Sequence, residues 1–353
     1  VCSSDLLHHW QTAVDNHESV RIVFLDYANA FDHVDHSVVI RKLHDLGVST
    51  ILIRWVSAFL YDRKQRVKIS DVFSNRVSLK GGMPEGSWLG PLTFLILIDD
   101  LSASCMMHKF VDDTTLSEII LQHESSHINE IISEVINWSN NNSMNINFSK
   151  TKELILGSMS RNPPTSIFID GNEIQRVQVF KLLGVFIDNK FNWKSHVKAI
   201  CSKAVSRLYF LRLLKRSGIS QSDLVCFYIS VIRSILEYAC PAWHNSLTAE
   251  QIGNIESVQK RAINIIYGYG DYYEKLAELD LPTLYCHRES ICKSFFKSIL
   301  NDKSCLHYLL PEQRNVEITE KLRHAASYEP PTVRTIKCQR SFINFALEHY
   351  QNC

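Results

Sequence analysis

Residues Ile22 to Leu25 are apolar without a break, and the run stops at Asp26. Short apolar runs bounded by turn-prone residues form buried strands. The segment "RIVFLDYANAF" (21–31) therefore reads as a buried strand that breaks into a turn or short helix just after a carboxylate. The second notable acidic feature is Asp112–Asp113, which interrupts "MMHKFVDDTTLSEI" (106–119) in the manner of a strand, a two-residue acidic turn and a strand.

Other patterns fill in the architecture. Leu6, Leu7, Trp10 and Val14 fall at helical spacing over residues 5–16. Residues 37–46 read as a helix with Gly47 at its C-cap, and Ser49 suits the N-cap of the next helix. The alternation in 65–70 and 75–80 predicts a hairpin. A Gly-rich turn (81–87) leads into an apolar helix ending near Leu101, and 124–138 is amphipathic, with the asparagines at 140–142 as its stop. Short strands are expected around 144–148, 152–156 and 180–187. Beyond Trp193 the pattern changes to long helical segments, 195–216, 221–238 and 249–267. The boundaries expected from this shift are 1–190, 191–270 and 271–353.

At 353 residues and 45% hydrophobic, the chain can bury a sizeable core. There is no charge-free apolar run of spanning length and no signal-peptide pattern at the start of the chain, so the reading is a soluble, membrane-free portion of a longer intracellular protein, nuclear or cytoplasmic. The ten cysteines form no CxxC pair, and Cys305 with His307 lacks a second pair, which favours reduced structural thiols over a zinc site. A net charge of +1 gives no global sign of a polyanion partner. Locally, Lys190, Lys194, Lys198, Lys203, Arg207, Arg212, Lys215 and Arg216 follow one another without an acid between 190 and 220.

One carboxylate on a strand facing two on an adjacent hairpin offers a cage for hard cations, the arrangement needed to transfer a nucleotidyl group. Taken singly, each aspartate is better explained by turn or cap chemistry. Their order and surroundings decide. "FLDYANAFDHVDH" (24–36), "GGMPEGSWLGPLTFLILIDDL" (81–101), "HKFVDDTTL" (108–116), "NINFSKTKELIL" (145–156) and "FKLLGVFIDNKFNW" (180–193) resemble, in order, the palm motifs of non-LTR retrotransposon reverse transcriptases of the jockey-like group. "YACPAWHNSLTAEQIGNIESVQKRAINIIYG" (238–268) resembles the segment that follows the palm in that family.

The resemblance implies an α+β fold: a right-hand polymerase palm, an antiparallel sheet backed by helices, followed by a mostly helical thumb. It implies RNA-directed DNA synthesis, with an RNA template, a DNA primer, deoxynucleoside triphosphates and two Mg²⁺ (or Mn²⁺) ions. Asp26, Asp112 and Asp113 would be the catalytic metal ligands and Lys150 a general acid near the triphosphate. Tyr27, Ala30, Phe31, Pro84, Glu85 and Gly86 would bind the nucleotide, with Phe31 excluding a 2′-hydroxyl. Ser87, Leu183, Gly184, Lys194, Lys198, Lys203 and Arg207 would contact primer and template. Three positions depart from the family pattern: Glu85 replaces Gln, Val111 replaces the Ala of FADD, and Asn29 replaces Lys. Fingers motifs and an endonuclease would belong upstream of residue 5. The competing expectation is a decayed or domesticated element that binds RNA without polymerising.

Overall fold

The computed structural model describes residues 2–84, 86–314 and 327–351. It divides into two compact units, Ser19–Val177 and the pair of segments Val1–Glu18 with Gln178–Cys353. This division differs from boundaries drawn on composition. The hairpin before residue 190 packs on the helix that follows it, and the first helix packs on C-terminal elements, so both join the helical unit.

Helix α1 (Cys2–Asp15) opens the helical unit, and β1 (Ser19–Leu25) opens the other. After β1 come α2 (His36–Asp45) and α3 (Thr50–Leu60). Asp35 caps α2 by accepting from Ser37 N, and Ser49 caps α3 by accepting from Leu52 N. The predicted hairpin is present as two ladder pieces, β2 (Lys64–Gln65) with β5 (Val77–Ser78) and β3 (Lys68–Ile69) with β4 (Val72–Phe73). Then follow α4 (Leu89–Ile98), β6 (Met106–Phe110), β7 (Asp113–Ile120), α5 (Ile128–Asn141), β8 (Lys152–Leu156), the small pair β9 (Phe168–Ile169) and β10 (Asn172–Glu173), and β11 (Gln175–Arg176).

The main sheet has the order β11-β8-β1-β7-β6. It is antiparallel except for the β11–β8 pair. Every residue of central β1 is buried, as its apolar run requires. Val23 and Leu25 face a core built with Val38, Val39, Leu43, Phe94, Leu97, Ile131, Ile132 and Val135 from α2, α4 and α5, so helices back one face of the sheet. Residues 144–148 do not form the expected strand; a single bridge, Tyr27 to Ile146, holds that stretch.

In the helical unit, β12 (Val179–Leu182) and β13 (Val185–Asp188) form a hairpin, followed by α6 (Lys194–Arg216), α7 (Gln221–Phe227) and, after a π-helical turn at 228–233, α8 (Ser234–Glu237). Next are α9 (Ala249–Tyr267), α10 (Tyr272–Glu278), α11 (Leu284–Ile299), α12 (Ile336–Gln339) and α13 (Phe342–His349). Thr248 and Gln251 close a capping box at the start of α9. The stretch Gln221–Ala242 is long and apolar enough to cross a membrane by length and composition alone. It carries Asp223, Arg233 and Glu237, the last two in an ion pair at 2.9 Å, and it packs against α6 and α9.

Candidate active site

The sheet register assembles the site. Leu25 pairs with Thr114 on one side of β1, and Phe24 pairs with Lys152 on the other. One step further along the first ladder brings Asp26 level with Asp113, and two steps along the second bring it level with Lys150, on the sheet face opposite the Val23–Leu25 core. The contacts agree. Lys150 Nζ lies 3.5 Å from Asp26 Oδ2, and Asp26 N donates to Thr151 Oγ1 at 3.4 Å. Asp26 O accepts from Asn147 N at 2.7 Å, which ties the NINFSK segment to the end of β1.

The turn at the hairpin tip is Val111–Asp112, one residue earlier than the sequence pattern implied, so Asp113 opens β7. Val111 has φ +57°, a left-handed conformation that strains a β-branched residue. Asn29 also sits at positive φ, +47°, where Asn is better tolerated than most residues.

The cluster is short of positive charge. Partial burial, then Asp112 and Asp26, hold the Asp113 carboxyl above the ordinary carboxylate range, and Lys150 opposes them. Asp26 Oδ2 is buried and accepts no hydrogen bond. Hard oxygen donors in excess of cation suit Mg²⁺ in donor type and charge. Among the described residues, however, no three His, Cys, Asp or Glu side chains stand close enough to grip one ion. The expected closed cage is thus a gathered set of carboxylates.

In the same unit, Phe31, Pro84, Gly86, Ser87 and Trp88 line an open pocket of about 590 Å³ with Gly90 and Pro91. The Phe31 ring stacks on Phe94 at 4.7 Å, so it is both core and pocket wall. Gly86 has φ +75°, and a Cβ there would meet nothing within 4 Å; backbone conformation, not space, demands the glycine. Ser87 Oγ donates to Pro84 O at 2.8 Å and accepts from Gly90 N at 3.1 Å, which sets the entry into α4. Tyr27 and Ala30, expected at the nucleotide, place their side chains in the hydrophobic core instead. Glu85 lies outside the described residues. Trp88, 98% exposed, was missed; a tryptophan entering an apolar helix was the available signal.

In the helical unit, Leu183 and Gly184 form the two-residue turn of the β12–β13 hairpin, with φ +46° and +88°. Tyr238 OH donates to Leu183 O at 3.0 Å, and a Cβ on Gly184 would come 3.0 Å from the Tyr238 ring. No sequence signal pointed to Tyr238 as the brace. The basic run does not make one track. Lys194 and Lys198 are about one helical turn apart, as are Lys203 and Arg207, but about two and a half turns separate Lys194 from Lys203, so the two pairs fall on opposite flanks of α6. Between them runs the buried stripe of Val197, Ile200, Ala204, Leu208 and Leu211.

The family model for reverse transcriptase (RNA-dependent DNA polymerase) matches residues 3–187. A model for the N-terminal region of alkylated DNA repair protein alkB homolog 8 matches residues 193–234 only. The chain is 24% identical over 316 residues to a probable RNA-directed DNA polymerase from transposon X-element of Drosophila melanogaster, covering 86% of this chain and 34% of the relative. It is also 24% identical to the RNA-directed DNA polymerase from mobile element jockey of the same organism, covering 72% and 29%. This chain thus spans about a third of the length of the curated relatives it matches. Among solved structures, telomerase from Candida albicans in complex with a TWJ fragment of telomeric RNA aligns with 78% of this chain and 52% of its own, at 14% identity and TM-score 0.39. With the palm motifs in order over the matched residues, the chain belongs to the reverse transcriptase (RNA-dependent DNA polymerase) family.

Proposed function

We propose that this chain is the palm and thumb of an RNA-directed DNA polymerase of a non-LTR retrotransposon. The observation that carries the reading is the meeting of Asp26, Asp112, Asp113 and Lys150, from three separate motifs, at one end of one sheet. Asp26, Asp112 and Asp113 would hold two Mg²⁺ ions; Mn²⁺ has the same preference for oxygen. When bound, such ions supply activation of a primer 3′-hydroxyl and neutralise charge on the departing pyrophosphate. Lys150, exposed and close to Asp26, would give a proton to that pyrophosphate. Phe31, fixed on Phe94, would present its ring to the deoxyribose and leave no room for a 2′-hydroxyl. Gly86 and Ser87 would let backbone approach the incoming nucleotide and the template.

Primer extension on an RNA template with deoxynucleotides and Mg²⁺, run on the full element protein containing this chain, tests the reading. Extension that requires both RNA template and divalent cation supports it. RNA binding without extension under Mg²⁺ or Mn²⁺ would replace it by an RNA-binding relic.

A further inference from the structure

The hairpin from β2 to β5 takes no part in the carboxylate cluster. Between Arg63 and Lys80 it holds Arg63, Lys64, Arg66, Lys68, Arg76 and Lys80 against a single acid, Asp71. Every residue from 64 to 78 is exposed, so the ladder is stabilised by its own hydrogen bonds and leaves both faces open. Cross-strand pairing sorts those faces. Lys64 stands opposite Ser78 and Lys68 opposite Phe73, while Gln65 stands opposite Val77 and Ile69 opposite Val72. Alternation then gives one face with Lys64, Arg66, Lys68 and Phe73, and a reverse face with Val67, Ile69, Val72 and Val77. The Arg66 guanidinium lies 3.9 Å from the Phe73 ring centre and Lys68 Nζ 5.4 Å, so the aromatic ring sits among cations.

The cationic face is joined to the candidate nucleotide pocket. A groove of about 920 Å³ runs past Lys64, Arg66, Asp32, Gly82 and Pro84, and Pro84 is also a wall of the Phe31 pocket. The base of the hairpin is fixed to this groove: Arg63 donates to Leu60 O at 3.0 Å and to Gly82 O at 2.5 Å. Gly82 has φ +78°, and a Cβ there would lie 2.8 Å from Asp32 O, so the groove floor admits glycine alone without rearrangement.

We propose that this face is a docking track for a single nucleic-acid strand, with phosphates on Lys64, Arg66 and Lys68 and a base stacked on Phe73. Cations in a row recognise a phosphate backbone without reading sequence. An aromatic ring 46% exposed among them offers a stacking surface that unpaired bases can reach and a closed duplex cannot. The groove then leads the strand toward Phe31. That the strand is the template rests on the polymerase reading; that it binds here does not.

The test is binding, measured by fluorescence anisotropy of a short labelled oligouridylate against the full chain across a salt series. Replacing Lys64, Arg66 and Lys68 together by Ser should weaken binding at least about tenfold at low salt and flatten the log–log salt slope by about 2, since each phosphate contact on a single strand contributes about 0.7. The charge-keeping set K64R, R66K, K68R should restore both. Phe73→Leu should weaken binding about fivefold with the slope unchanged, as expected of stacking. Unchanged affinity and slope in a folded Ser variant would overturn the proposal. So would equal weakening by V67N with V72N on the reverse face, which would mark the hairpin as a protein-docking arm. Loss of primer extension in the parent chain with these binding effects intact would sink the polymerase reading and leave the track standing.

Discussion

Two charged clusters sit on the same three strands, β1, β7 and β8, and they are built in opposite ways. Toward one end, on the helix-backed face, Arg21 is buried and donates to Glu153 at 2.5 Å, Ser126 Oγ at 3.1 Å and Thr165 O at 2.7 Å. Glu153, fully buried, also accepts from Arg176 Nε at 2.7 Å. Nearby Glu118 accepts from Ser126 Oγ at 2.6 Å and His127 N at 2.5 Å. At the other end and on the other face, three aspartates gather with one exposed lysine, and a buried Asp26 oxygen, in a long ion pair with that lysine, accepts no hydrogen bond. A charge cluster that serves the fold is closed by protein partners. One left open, with excess charge of one sign, is arranged for something that arrives later.

Exchanging the charges should separate activity from stability. The largest expected effect is Asp112→Asn, which should lower single-turnover primer extension by at least about 10³-fold while the melting temperature holds, because it removes transition-state charge stabilisation and no core packing. Retained extension would dissolve the distinction between the clusters. Glu153→Ala should do the reverse: strand the buried Arg21 and the half-buried Arg176 and cost about 3–5 kcal/mol in urea unfolding, with extension per folded molecule intact. A mild stability loss there would mean that the closed cluster is no more structural than the open one.

Lys150→Met falls between these. Losing a general acid should slow the chemical step about a hundredfold, whereas its exposed ion pair with Asp26 is worth at most about 1 kcal/mol of stability. If extension is as fast with Met, Lys150 is only a counter-charge. The smallest effect is on pH dependence. A carboxyl whose pKa rises on folding costs stability above its folded pKa and nothing below its unfolded one. Asp113→Asn should therefore raise the melting temperature slightly at neutral pH, and the gain should fade as pH falls through the carboxylate range. Mg²⁺ should stabilise the native chain and leave the Asn variant nearly unmoved. A gain that persists at low pH would assign it to packing.

The open cluster was more legible in the sequence than its setting. Asp26 and Asp113 follow from strand patterns, and helix 249–267 and strand 152–156 appear at the predicted residues because their apolar periods are strong. What escaped depended on direction. Tyr27 and Ala30 follow Asp26 closely in the chain but turn into the core, and a one-residue change of face is invisible without the register. The run on α6 looked continuous because sequence lists charges in order, whereas a helix distributes them around an axis. The closed cluster went unnoticed altogether, since Arg21, Glu153 and Arg176 are far apart in the chain and meet only across strands.

The central place of β1 also has a consequence for how the molecule is made. Its partners are β7 and β8, whose pairing residues Thr114 and Lys152 lie far downstream of Leu25 and Phe24. Closing such long loops is slow, because chain entropy is lost before the contacts that offset it exist. The carboxylates therefore come together only when β7 has closed on one side of β1, and Lys150 joins them only when β8 closes on the other. During synthesis, Asp26 waits on an apolar strand first for β7 and then for β8, and no N-terminal piece ending before Lys150 can bring that lysine to Asp26.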